Sequence, residues 1–163
     1  MAVDMFINMG DKIKGETQDK VRGPKNDIDV LAWSWGMSQS GTTHMGGGAG
    51  AGKANFQDLS FTKYVDSASQ ALMNALAKGT HIPKVTLLVR KAGEGQQIYL
   101  QIDLETVIVT SVSTGGSGGE DRLTENVTLN FSKVVFDYFK QNDKGIVASA
   151  GKFTWDIAKN IAA

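Results

Sequence analysis

The chain has 163 residues, enough for one domain with a single buried core, and its 17 basic and 17 acidic side chains give a formal net charge of zero. It has no cysteine, and its only histidines, His44 and His81, lie far apart, which excludes disulfides and thiolate chemistry and leaves no zinc set. No basic run interleaved with aromatics offers itself to nucleic acid, and no apolar run approaches the roughly 20 residues that span a bilayer.

Met1 to Gly10 carries Asp4 and no basic start, so it does not read as a secretory signal, and the expectation is a protein made in the cytosol. Val3, Met5, Ile7 and Met9 alternate with Asp4 and Asn8, predicting a first strand with Phe6 as the exception. Gly10 to Asp27 is polar, with Gly15 and Gly23-Pro24 as turn chemistry, and reads as a hairpin-like connection. Leu31, Trp33, Trp35 and Met37 then alternate with Ala32, Ser34 and Gly36, giving a strand with one bulky and one small face. A glycine-dense loop follows from Gly41 to Lys53, and Gln57, Leu59 and Phe61 resume an extended pattern.

The period changes after Ser67. Ala68, Ala71, Leu72, Ala75 and Leu76 make one helical stripe, so a helix is predicted over about residues 67–78. Ser67 and Gln70 read as its capping box, Gly79 as its left-handed stop, and Leu72 and Leu76 as its contacts with the sheet. Strands follow over Val85 to Val89, Ile98 to Leu104, the β-branched Val107 to Val112, Leu123 to Phe131, Val134 to Tyr138 and Phe153 to Ile157. A second glycine loop runs from Thr114 to Asp121, and Lys140 to Gly151 is rich in turn residues. Eight or nine strands with one helix predict a mainly β fold, a single barrel or a sandwich of two sheets flanked by that helix.

Chemistry has little to stand on. Gly47, Gly52 and Lys53 match most of a phosphate-binding loop, but position eight is Ala54, which has no hydroxyl for magnesium, and a strand rather than a helix follows. No G-x-S-x-G elbow surrounds any serine, so His81 beside Pro83 reads as a turn residue and not as a base. Glu120-Asp121 beside Arg122 reads as an exposed ion pair, and Asp103 and Glu105 as one polar strand face. No catalytic, cofactor or metal residue is assigned. Two strand faces are unusual: Ala32, Ser34 and Gly36, and Thr124, Asn126, Thr128 and Asn130, are neutral and short, where a solvent face ordinarily carries more lysine and glutamate. They suit the wall of a wet channel, and equally a plain surface face. A monomeric β-sandwich that grips a ligand with its glycine loops is the alternative.

The run Ala32-Trp33-Ser34-Trp35-Gly36-Met37-Ser38-Gln39-Ser40-Gly41, followed by His44 to Gly48 and Gly52-Lys53, resembles the haemolysin-coregulated protein (Hcp) family of bacterial type VI secretion. Asp58 to Tyr64, Arg90 to Gly93 and Val112 to Phe131 extend the resemblance, while residues 12–27 and 141–163 depart from it. The resemblance implies a single tail-tube-like barrel domain over residues 1–163 that forms homohexameric rings. It implies that rings stack into a tube which a contractile sheath propels behind a spike protein, and that the chain is exported by this route without a signal peptide. Some members of the family carry small effector proteins in the ring lumen. Ser34 resembles a lumen position. Gly41, Met45, Gly46, Gly47, Gly48, Gly50, Gly52 and Lys53 resemble the arm that reaches a neighbouring subunit or the next ring. No nucleic acid, membrane insertion or cofactor is implied.

Overall fold

The structure is a computed structural model that describes residues 3–41, 44, 50, 52–92 and 95–163. In chain order its elements are β1 (Val3–Asn8), a short 3-10 turn (Gly23–Lys25), β2 (Ile28–Asp29), β3 (Ala32–Ser34), β4 (Met37–Ser38), β5 (Asn55–Phe56), β6 (Leu59–Tyr64) and α1 (Ser69–Lys78). They continue with β7 (Ile82–Lys91), β8 (Ile98–Thr114), β9 (Thr124–Asn130), β10 (Lys133–Gln141), β11 (Val147–Asp156) and β12 (Ile161–Ala162). The mainly β class with one helix is as the alternation predicted.

All pairing is antiparallel. One sheet runs β12-β11-β10-β8-β7-β1-β2, and a second runs β3-β6-β9-β8. The long strand β8 belongs to both. Its first part, from Ile98, lies between β7 and β10, and its last part, Ile108 to Thr114, pairs with β9 alone. The turn from one sheet into the other is made at Thr106, whose φ is 52°, a left-handed value that a β-branched residue rarely adopts. Register with β7 steps from Lys84–Glu105 to Ile82–Val107, which leaves Thr106 opposite Pro83, a residue with no N–H to give the ladder. At the other side Val30 N donates to Met5 O (3.0 Å) and Leu31 N to Thr62 O (2.8 Å), so the chain steps from the edge of the first sheet to the edge of the second. The sheets are not closed by continuous pairing. Of the two forms the sequence allowed, the observed one is a pair of open sheets sharing a strand.

The core lies between the sheets. Ile7, Leu87 and Ile102 face it from the first sheet and Leu59, Phe61, Val127 and Leu129 from the second. Residues 10–27 form no hairpin. Ile13 is buried in the core, and the later part of the stretch, with Asp19 and Asp27, covers the opposite face of β1 and β7, where Phe6 and Leu88 are buried outside the core cluster and Arg90 is 4% exposed. Arg90 is held there by Asp4 (3.3 Å) and by Asp19, and Asn8 Nδ2 donates to Asp27 Oδ1 (2.7 Å). This accounts for Phe6, the one residue out of phase in the first strand.

The helix begins at Ser69 rather than Ser67. Ser67 Oγ instead donates to Lys14 O (3.1 Å), and Asp66 Oδ1 accepts the N–H of Ala68, so the capping box does not form. Leu72 and Ala75 are buried but Leu76 is 37% exposed, because α1 packs through the small residues Ala68, Ser69 and Ala75 beside Leu72. Gly79 closes the helix in the left-handed conformation, φ 63°, as predicted.

Candidate functional site

The second sheet turns one face inward and the other to solvent, and cross-strand partners share a face. Ser34 pairs with Ser60, Ser60 with Thr128 and Thr128 with Ser111, a rung of four hydroxyls across four strands. The next rung is Ala32, Thr62, Asn126 and Ser113. The two rows singled out in the sequence therefore lie on one surface, with β6 between them. Thr62 Oγ1 donates to Asn126 Oδ1 (2.6 Å), and the Ser60 and Thr128 hydroxyls are 3.3 Å apart. These bonds spend part of the polar capacity within the face and leave it wettable but uncharged. Charge returns only at its ends. At one end Asp58 accepts from Asn130 Nδ2 (2.8 Å) and Thr110 Oγ1 (3.2 Å); at the other Arg122 lies over the Tyr64 ring at 3.7 Å. No ion pair joins Arg122 to Glu120 or Asp121 among the described residues, so that expected pair is replaced by the ring contact.

Ser60, Thr62, Ser111 and Ser113 were not singled out in the sequence. The first two are the outward positions of the Leu59, Phe61 alternation. The serines of β8 are harder to place, since a bulge at Thr110 reverses which parity of residue faces outward.

The buried side of the same sheet is not uniformly apolar. Lys63 and Glu125 are direct cross-strand partners, 0% and 1% exposed, and form an ion pair. Lys63 Nζ also lies 2.8 Å from Asp66 Oδ1 and donates to Ser69 Oγ (3.2 Å), while Ser69 Oγ donates to Glu125 Oε1 (2.6 Å). This cluster fastens the first turn of α1 to β6 and β9. Glu125 Oε2 has no partner among the described residues.

The arm leaves from the β3 end of the sheet. Ser34 is exposed on the neutral face. Met45, Gly46, Gly47 and Gly48 lie outside the described residues; Gly41, Gly50, Gly52 and Lys53 are within them. The two legs pair as β4 and β5, and Gln57 N donates to Gly36 O (2.9 Å). Further out, a Cβ on Gly52 would meet Ser40 Oγ, so the legs still touch there and any larger residue would have to turn the Ser40 side chain aside. Lys53 is exposed and leads into β5, the strand context that argued against a phosphate loop.

Asp103 and Glu105 lie on the outward face of the first sheet, where Thr86 Oγ1 donates to Asp103 (2.7 Å) and Lys133 pairs with Glu105 (3.6 Å). His81 lines an open groove of about 610 Å³ between α1 and Met9 to Ile13. Among the described residues no group of three or more metal-ligating side chains converges, and no helix is long and apolar enough to cross a membrane. The Asp19 carboxyl is held below its ordinary range. The chief cause is hydrogen bonding from Arg90, opposed by burial and reinforced by the N–H groups of Arg22 and Val21.

Comparison with known proteins bears on the whole chain. A family model described as "Type VI secretion system effector, Hcp" matches residues 6–138. Protein hcp1 of Pseudomonas aeruginosa is 59% identical over 165 aligned residues, covering 100% of both chains. A solved structure of a type six secretion system protein superposes with a TM-score of 0.89 at 29% identity, covering 98% of this chain and 99% of the other. The crystal structure of Hcp1 from Salmonella typhimurium superposes with a TM-score of 0.79 at 36% identity and covers 100% of each.

Proposed function

The chain belongs to the Hcp family of type VI secretion proteins, and on that premise we propose that it is the structural subunit of the secretion machine's inner tube. The family is one of secreted structural proteins and not of enzymes. In this reading the whole chain is one Hcp-like domain, six copies close into a ring, and rings stack into a tube. The tube is exported behind a spike protein as a contractile sheath drives it, which needs no signal peptide. Small effector proteins travel in the lumen, against a wall that includes Ser34. Gly41, Met45, Gly46, Gly47, Gly48, Gly50, Gly52 and Lys53 belong to the arm that contacts a neighbouring subunit or the next ring.

One observation carries this reading: the uncharged face belongs to a sheet with two unpaired edges. Among the described residues β3 pairs only with β6, and the last part of β8 pairs only with β9. Exposed edges are ordinarily blunted or covered. A head-to-tail contact in a closed ring covers both at once, since the β8 edge of one copy meets the β3 edge of the next. The uncharged faces of successive copies then form one continuous wall. With six copies of four strands at about 4.8 Å spacing, that wall is about 115 Å round and about 37 Å across, wider if the strands tilt. Sedimentation and negative-stain imaging at micromolar concentration test it. Rings with a central hole of that order are expected; a uniform population of single chains refutes the reading.

A further inference from the structure

We propose that a stack of five aromatic rings is the positioning device of the glycine arm, with Phe136, Phe153 and Trp155 setting the direction in which the arm leaves the body. Its consequence for tube assembly rests on the reading above, in which the arm makes a contact between copies.

Each leg of the arm contributes one ring at its root: Trp35, just before β4, and Phe56, in β5. Trp35 stacks on Phe56 (centroids 6.4 Å apart, planes at 22°) and on Phe136 of β10 (6.2 Å, 24°). Phe56 stacks on Phe153 (6.4 Å) and Trp155 (6.5 Å) of β11, and those two lie nearly parallel at 3°. Phe136 and Phe153 are cross-strand partners on the face of the first sheet that also forms the core, so the platform belongs to the body of the fold.

Beyond the root, the described backbone contacts of the legs are to each other: β4 pairs only with β5, and Gln57 N bonds Gly36 O. An isolated two-stranded ribbon is marginally stable in water. Pairing between the legs therefore holds the ribbon together without orienting it. Orientation comes from what the root rests on, and the root rests on rings. Hydrogen bonds add nothing to their seating, because the indole N–H groups of Trp35 and Trp155 are both buried without a partner among the described residues. Asp58, bonded to Asn130 and Thr110, pins the chain beyond the second leg, while at the root itself ring packing seats the side chains, and stacked aromatic pairs favour a restricted set of geometries.

The test uses the full chain carrying Phe153→Ala, with Phe153→Leu as the second variant if alanine yields no folded protein, and Phe153→Tyr as the conservative rescue. Hydrogen exchange of the Phe56 and Gln57 amides should accelerate tenfold or more in the ring-free variants, while amides of α1 (Ser69–Lys78) keep their protection and tyrosine restores the parent rate. Unchanged exchange at Gln57 in a folded ring-free variant overturns the proposal, and so does acceleration of α1 amides to the same degree, since that reports general loosening. Electron microscopy on the same samples separates the two readings. A loosened arm with shorter or absent tubes supports both. A loosened arm with unaltered tubes supports the aromatic root and refutes the arm's part in assembly.

Discussion

Replacing Lys63 by methionine should cost this fold far more than the loss of a surface lysine. Lys63 is completely buried on the core side of β6, and its ammonium group serves Glu125 directly opposite on β9 and Asp66 at 2.8 Å. Methionine fills much the same volume, so the packing loss is small. What remains is the Glu125 carboxylate, 1% exposed, with Ser69 Oγ as its one donor and Oε2 already without one. Breaking a buried pair by removing one partner costs about 3–5 kcal/mol. Asp66 is the lesser loss, since it keeps the Ala68 N–H at 2.9 Å. Adding Glu125→Leu removes the stranded carboxylate, so the double variant should recover about 2 kcal/mol or more, leaving a residual loss at Asp66 and Ser69. Urea unfolding of the parent, both single variants and the double, at one fixed protein concentration, gives the coupling free energy directly. The reasoning fails if Lys63→Met lies within about 1 kcal/mol of the parent, or if the two substitutions add.

Thr106→Asn should stabilise the chain by about 0.5–1 kcal/mol, because asparagine tolerates the left-handed φ of 52° better than a β-branched residue; a melting temperature equal to or below the parent's would remove strain from the account of the corner. Asp19 predicts an acid limb of stability. Its carboxyl titrates below its ordinary value in the fold, so the stabilisation is complete above about pH 4 and is lost as pH falls through the ordinary value towards the lowered one. Asp19→Asn should flatten that part of the curve, and identical slopes between pH 5 and 2 would count against it. Ser34→Arg, at an exposed position, should change stability by no more than about 0.5 kcal/mol yet abolish co-purification of a lumenal effector; retained cargo would show that Ser34 does not face it.

The neutral rows on β3 and β9 were legible because each strand alternates cleanly and one register sets a whole face. That both rows share a surface was not, since nothing local says that β6 lies between β3 and β9. Strand β8 defeated local reading for a sharper reason. Its inward residues are Leu100, Ile102 and Leu104, then Val107 and Val109, then Val112. The corner at Thr106 switches the inward parity from even to odd, and the bulge at Thr110 switches it back. A β-branched run results, from which neither face could be read. Lys63 and Glu125 did leave a signal, because Leu59, Phe61, Lys63 and Glu125, Val127, Leu129 continue period-two patterns whose charged members must also point inward. The helix start was missed because Ser69, rather than Ser67, had a use inside that ionic cluster.

The weight of the uncharged face can itself be estimated. A protein surface is typically about 25–35% charged, so eight solvent-facing positions free of charge arise by chance about once in ten to once in thirty such surfaces. Taken alone, that is modest. The two unpaired edges are an independent cost, because exposed strand edges invite uncontrolled pairing, and this chain has no net charge to oppose it. A lone binding module would have reason to blunt those edges and none to clear the face between them. A ring of the proposed kind has reason for both: in it the open edges of β3 and β8 would be where copies join, and the rungs between them the surface that a passing cargo must not grip.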